Sequence, residues 1–350
     1  MTVPGRRRAP TQAEVARLAG VSQATVSAVV TGRSSDHRIP AQTASRVMDV
    51  VRELGYLANP SARSLKGKRN RLLGVHTFES VFPISRRDFY HEFLIGVEEQ
   101  AVAEGYDLVL LTSTETSNGQ RAVFRDGVNR LKVADGSVLL GIAHDSSDLA
   151  RLATDGYPFV HVGRRSVPGV EFPWVGADYR TATAQIVARL IELGHRRVGY
   201  LGYHGRMEAV IDREDGYRSA CATAGIPQLP LFGRAGDLTT EWFDLAIANG
   251  MTAFVAEEEP YAERLGEFAR LRGLSIPEDL SVVVLRGVSG GPRDRSWSAL
   301  GVPRNEMGRR AVRLLVEILT EPDVPREHQL LLPCARPSGA TIAQPRGGAA

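Results

Sequence analysis

Residues 11–27 read Thr11-Gln12-Ala13-Glu14-Val15-Ala16-Arg17-Leu18-Ala19-Gly20-Val21-Ser22-Gln23-Ala24-Thr25-Val26-Ser27. Thr11 followed three residues later by Glu14 has the form of a capping box, in which hydroxyl and carboxylate satisfy the free amides at a helix start. A helix is therefore expected from Gln12, with Val15, Leu18 and Ala19 on its buried face. Gly20 permits a sharp turn, and Ser22 can cap a second helix running from Gln23 to about Thr31. Two short helices joined by a turn containing glycine make a helix-turn-helix, whose second helix places its first residues in the major groove. Gln23, Ala24 and Thr25 would then face the bases: Gln pairs bidentately with adenine, and the methyls of Ala24 and Thr25 suit a thymine methyl. A third helix is expected over Ala41–Leu54, with Val47, Val50, Val51 and Leu54 as its apolar stripe and Gly55 closing it.

Charge supports a polyanionic partner for this head. Residues 1–70 hold twelve Lys and Arg against four Asp and Glu, a net +8, in a chain of 350 residues whose total is +3, so the remainder carries −5. Clustered cations release counterions from a phosphate backbone, although a solvated basic tail would have the same composition. The two cysteines, Cys221 and Cys334, are far apart, and the histidines show no metal-ligand spacing, so neither a disulfide framework, a zinc site nor a cofactor is suggested. No apolar run suits a secretory signal or a membrane span, which points to a cytoplasmic protein with no membrane partner.

From Arg71 onward, short apolar runs alternate with helical stretches. Leu72–Val75, Asp107–Leu111, Gly136–Leu140, Phe159–Val162, Val198–Leu201, Thr252–Val255 and Ser281–Leu285 are expected as buried strands, with helices such as Phe93–Glu104, Ala182–Leu193 and Ala262–Arg272 between them. Alternation of this kind implies βαβ units and parallel sheets, and the length suggests two lobes.

The run Ala16 to Ser27, then Gly55-Tyr56 and Asn59-Pro60-Ser61-Ala62-Arg63-Ser64-Leu65-Lys66, resembles the DNA-binding head of the lactose/galactose repressor family of bacterial transcriptional regulators. Leu193-Gly194-His195-Arg196-Arg197, Asp215-Gly216-Tyr217-Arg218, Ile276-Pro277-Glu278-Asp279-Leu280-Ser281-Val282 and Met307-Gly308-Arg309-Arg310-Ala311 resemble landmarks of the core in the same family. The resemblance implies a three-helix head with a hinge helix, followed by an α/β core of two Rossmann-like lobes similar to type I periplasmic binding proteins. The implied divisions are 1–58 for the head, 59–70 for the hinge and 71–340 for the core, with a tail at 341–350. Within the core, the N-lobe would take about 71–176 and 301–320, and the C-lobe about 177–300 and 321–340. The implied function is regulation of transcription, as a repressor. A homodimer would bind a palindromic operator in double-stranded DNA under control of a small-molecule effector, whether a sugar, a sugar derivative or an anionic metabolite.

For DNA, the resemblance assigns Thr11, Ser22, Gln23, Ala24, Thr25, Ser27 and Ala28 in the head, the last standing where relatives often carry a base-reading Arg or His. In the hinge it assigns Asn59, Ala62, Arg63, Leu65 and Lys66, with Leu65 as a wedge into a minor-groove step flanked by basic neighbours that hold phosphates. For the effector it points to Arg213 as a retained guanidinium, and to Gly163, Glu258 and Arg286 where the family carries Asp, Asn and Asp. Loss of acids and gain of Arg286 favours an anionic ligand, or else Arg286 pairs with one of Glu257, Glu258 and Glu259. Phe78, Phe89 and Tyr90 would line the N-lobe wall as a stacking surface, or belong to the core.

Two other function classes are weaker. Gly287-Val288-Ser289-Gly290-Gly291 fits the G-x-S-x-G of hydrolases, but Pro292-Arg293-Asp294-Arg295 is a poor start for the helix such an elbow needs. A free small-molecule binding protein would need an export signal and no helix-turn-helix.

Overall fold

Local signals near the N-terminus produce the elements they predict. In the computed structural model, which describes residues 10–30, 34, 37–56, 69–79, 87–112, 121–141, 146–203, 205, 207–286 and 297–346, three helices form: α1 (Gln12–Ala19), α2 (Gln23–Val30) and α3 (Ala41–Leu54). The Thr11 hydroxyl accepts from the Glu14 amide and the Glu14 carboxylate accepts from the Thr11 amide at 2.8 Å, completing the capping box. Gly20 ends α1 in the left-handed region, φ 64°, where a side chain would be strained. Val15, Ala16, Ala19, Val26, Val29 and Val47 form the core, with Val50, Val51, Leu54 and Tyr56 packed against it. Leu18 departs from expectation and is 50% exposed. The α1 face that meets α2 and α3 is centred between Val15, Ala16 and Ala19, and Leu18 lies roughly 110° around the helix from that centre.

The chain divides into two units, residues 1–70 and 71–350. The second is a pair of α/β lobes. The first lobe holds a parallel six-stranded sheet of β1 (Leu72–Thr77), β2 (Asp107–Leu111), β5 (Gly136–Leu140), β6 (Phe159–Val162), β7 (Trp174–Ala177) and β13 (Gln329–Leu332), in the order β13-β7-β6-β5-β1-β2. A small hairpin of β3 (Phe124–Arg125) and β4 (Val128–Asn129) is attached to it. Helices α4 (Arg87–Ala103) and α5 (Ser146–Thr154) belong to this lobe. The second lobe's sheet runs β14-β12-β11-β10-β8-β9, from β8 (Val198–Gly202), β9 (Leu229–Phe232), β10 (Ala253–Ala256), β11 (Ser281–Val284), β12 (Ser298–Gly301) and β14 (Ala335–Ser338). Only β14 is antiparallel to its neighbour in this sheet. Its helices include α6 (Tyr179–Glu192), α7 (Glu208–Ala224), α8 (Thr240–Ala248) and α9 (Glu259–Leu271).

The chain crosses between lobes after β7, after β12 and between β13 and β14. After the second crossing, α10 (Arg304–Thr320) packs on α4 and on β5, β6 and β7 of the first lobe. Two expected boundaries shift accordingly. Residues 329–332, assigned above to the C-lobe, pair in parallel with Trp174–Ala177 in the first sheet. Residues 341–346, expected as the start of a tail, are part of the second lobe: the Thr341 hydroxyl donates to Val282 O at 2.6 Å, and Ala343 O lies 2.9 Å from His195 Nε2. His195 also reaches the Thr252 and Ser281 hydroxyls, at 2.7 and 3.1 Å, so it ties the strand ends of this lobe together.

His76 on β1 is 1% exposed and meets the Phe78 ring edge-on. Burial lowers its pKa to about 4. The unfolded imidazole, with a pKa near 6.5, takes up a proton that the native one refuses, so stability conferred at neutral pH is lost as pH falls from about 6.5 towards 4. The expected loss from this residue is about 2 kcal/mol by pH 5 and about 3 kcal/mol by pH 4. Urea melts of wild type and His76→Phe at pH 7.5 and pH 5 should show the variant losing about 2 kcal/mol less; equal losses would remove His76 as the cause.

Candidate functional site

Two surfaces carry the candidate residues. On the head, the Ser22 hydroxyl accepts from the Thr25 amide at 3.1 Å and lies 2.9 Å from the Thr25 hydroxyl, fixing the first turn of α2. The Gln12 amide donates to Gln23 O at 3.3 Å, tying α1 to the same turn. Gln23 and Ala24 are exposed, and Thr25 and Ser27 are half-buried. Ala28 is 3% exposed, so it offers no surface to a base edge, contrary to expectation. The physical reason is the composition of α2, whose second half is nearly all apolar and is drawn into the bundle with Val26 and Val29. The exposed side chains of α2 are thereby confined to its N-terminal end, at Gln23 and Ala24. Asn59, Ala62, Arg63, Leu65 and Lys66 lie outside the described residues.

The second surface is the cleft between the lobes. Phe89, Tyr90 and Phe93 of α4, Gly163, Arg164 and Arg165 after β6, Tyr179 of α6, Asp212 and Arg213 of α7, and Arg286 after β11 line it. Phe89, Tyr90, Gly163, Arg213 and Arg286 are thus brought together as expected. Phe78 is not among them: it is 1% exposed and packs with Val123, Leu139 and Trp174. Alternation along β1 explains this, because Leu73 and Val75 point to the face covered by α4 while His76 and Phe78 point to the other. Glu258 is not among the lining residues; its carboxylate is 2.5 Å from the Arg286 guanidinium, which realises the pairing alternative for Arg286.

Arg213 is 4% exposed and grips the fully buried Glu257, with contacts of 2.6 to 3.0 Å, while its guanidinium covers the Tyr179 ring at 4.7 Å. Burial opposes its charge, but the Glu257 carboxylate more than compensates and holds the Arg213 pKa above the ordinary value. The Tyr200 hydroxyl donates to the same carboxylate. Burial, followed by the charge of Glu257, raises the pKa of Tyr200, so the phenol remains a donor. The first lobe adds two arginines that sequence reading passed over: Arg164 makes two bonds to Asp212, at 2.7 and 2.8 Å, and Arg165 meets Glu208 at 3.1 Å. The adjacent arginines were the available signal, but their partners lie more than 40 positions away. Among the described residues, the four guanidiniums that line the cleft each carry a carboxylate partner. The G-x-S-x-G residues 287–291 lie outside the described residues.

A capped helix-turn-helix head on a two-lobed core with a lined cleft defines the class of ligand-responsive DNA-binding regulators. Residues 11–59 match the model of bacterial regulatory proteins of the lacI family, and residues 187–338 match that of the periplasmic binding protein-like domain. The chain is 30% identical over 323 residues to the HTH-type transcriptional regulator CelR of Thermobifida fusca, covering 90% of this chain and 93% of that protein. It is 29% identical to the transcriptional repressor CytR of Escherichia coli K12, covering 91% and 92%. Among solved structures it resembles a CelR–cellobiose complex, with a TM-score of 0.60, 26% identity and 95% and 99% coverage. It also shares the fold of a lac repressor dimer bound to operator and the anti-inducer ONPF, with a TM-score of 0.69, 20% identity and 96% and 100% coverage. The chain belongs to the LacI family of bacterial transcriptional regulators.

Proposed function

We propose that this regulator is a repressor that binds a palindromic operator as a homodimer in the cytoplasm and is controlled by a small molecule held between its lobes. The observation that carries the reading is α2, which is capped by Ser22, anchored by Gln12 and presents Gln23 and Ala24 outward at its N-terminal end. One such helix reads only a few base pairs, so two copies on a repeated half-site supply the specificity a regulator needs. The relatives named as transcriptional regulators and repressors support binding rather than catalysis. The complex of CelR with cellobiose supports a small-molecule effector, and the lined cavity between the lobes is the place proposed for it.

Selection of randomised duplexes by the purified protein, followed by a salt titration, tests this. An inverted repeat should be enriched, with affinity falling steeply as salt rises. Leu65→Ala should weaken binding to that repeat by roughly tenfold or more and leave non-specific binding nearly unchanged, because the wedge acts only on a kinked site. Equal loss on both DNAs would reduce Leu65 to a general packing role.

A further inference from the structure

Side chains of the two lobes meet across the cleft. Arg164 and Arg165 leave β6 of the first lobe side by side, and Glu208 and Asp212 sit one turn apart on α7 of the second. Each arginine takes one carboxylate: Arg164 with Asp212 at 2.7 Å, and Arg165 with Glu208 at 3.1 Å. Glu208 also accepts from the Ser166 amide at 2.8 Å, while Arg165 donates to Gly141 O of its own lobe at 2.8 Å. Deeper in the cleft, the Arg286 guanidinium of the second lobe lies 4.6 Å over the Phe89 ring of the first. It thus covers an aromatic face that a ligand ring would otherwise use.

We propose that the core is latched shut without ligand by Arg164–Asp212 and Arg165–Glu208, and that Arg286 is a built-in occupant of Phe89 which an effector must displace. The regulation inferred here rests on the cleft being the effector site. It makes the closed state the starting point, so an effector's apparent affinity is reduced by the small fraction of open molecules. Loosening the latch removes that penalty.

The test is a distance measurement by double electron–electron resonance between nitroxides at Val128→Cys in the first lobe and Leu245→Cys in the second, both exposed sites. It is made on the full chain with Cys221→Ala and Cys334→Ser, diluted with unlabelled protein so that only intrachain pairs are read. Without ligand, a single short distance is expected. Asp212→Asn with Glu208→Gln should shift the distribution to longer values, and Asp212→Glu should retain the short one. In the otherwise unaltered protein, 1 M NaCl, where the screening length is about 3 Å, should produce part of the same shift because Arg164 remains 29% exposed. A long distribution in the unaltered protein, or a short one that neither salt nor the double substitution moves, overturns the latch. Operator selection by the same proteins is read separately, so failure of the latch and failure of the regulator reading give different results.

Discussion

Replacing Glu257 by Gln should destabilise the core by about 3–5 kcal/mol, because Arg213 would keep its charge in a place where water cannot replace the lost carboxylate. Glu257 is fully buried and Arg213 is 4% exposed, so solvent screening does little for either. Arg213→Met alone should cost a similar amount by leaving Glu257 unpaired apart from the Tyr200 hydroxyl. The double variant Arg213→Met with Glu257→Gln should recover most of the loss, since a buried pair replaced as a unit is often close to neutral. Equilibrium urea unfolding of the three variants checks this as a double-mutant cycle. A coupling energy below about 0.5 kcal/mol would mean that the two groups do not act as a pair. The same cycle has a functional arm: Arg213 lines the cleft, so the double variant separates its contribution to stability from any contribution to ligand binding.

Gly308→Ala should be at least as damaging, with an expected loss above about 4 kcal/mol. In the first lobe, α4 and α10 cross with Gly96 and Gly308 at their contact. A β-carbon on Gly308 would collide with the main-chain carbonyl of Phe93, and one on Gly96 with that of Asn305. No rotamer change relieves a clash between backbones, so the helices must separate and the packing of Met307, Ala311 and Val97 goes with them. The second lobe repeats the device, with Gly216 of α7 set against the carbonyl of Arg180 on α6. Calorimetry of Gly308→Ala should show a large fall in the melting temperature of the core. An unchanged transition would mean that the crossing has slack to absorb a methyl group.

The head was legible because its determinants are local. A capping box, a left-handed glycine and an apolar stripe act within one or two turns, and the observed bounds of α1 and α3 follow them. Seven strands of the core were also legible: six are buried along nearly all their length and so read as continuous apolar runs, and the seventh, Asp107–Leu111, is a partly exposed edge strand that is apolar after its first residue. The strands passed over are more instructive. Gln329–Leu332 and Ala335–Ser338 form sheet edges and are partly exposed; the first offers an apolar run of only three residues, Leu330–Leu332, and the second carries Arg336, Pro337 and Ser338. Their lobe membership depends on the crossings, which no local pattern specifies, so 329–332 falls in the first lobe and not in the C-lobe expected for it.

The cleft divides along the same line. Phe89, Tyr90, Arg213 and Arg286 were legible from the family pattern, whereas Phe78 required the pleat of β1 to place it on the opposite face. From its own sequence, this protein determines the head, the alternation of strand and helix, and the residue types available to a cleft, because hydrogen bonds and hydrophobic periods over a few residues suffice for each. Which charges neutralise one another was decided only in three dimensions. Arg164 with Asp212, Arg165 with Glu208, Arg213 with Glu257 and Arg286 with Glu258 join residues 28 to 48 positions apart. Along the chain Arg164, Arg165, Glu208 and Asp212 look like ordinary surface charges, and for Arg286 the sequence leaves three adjacent glutamates open; only desolvation in the folded cleft makes the choice of partner matter.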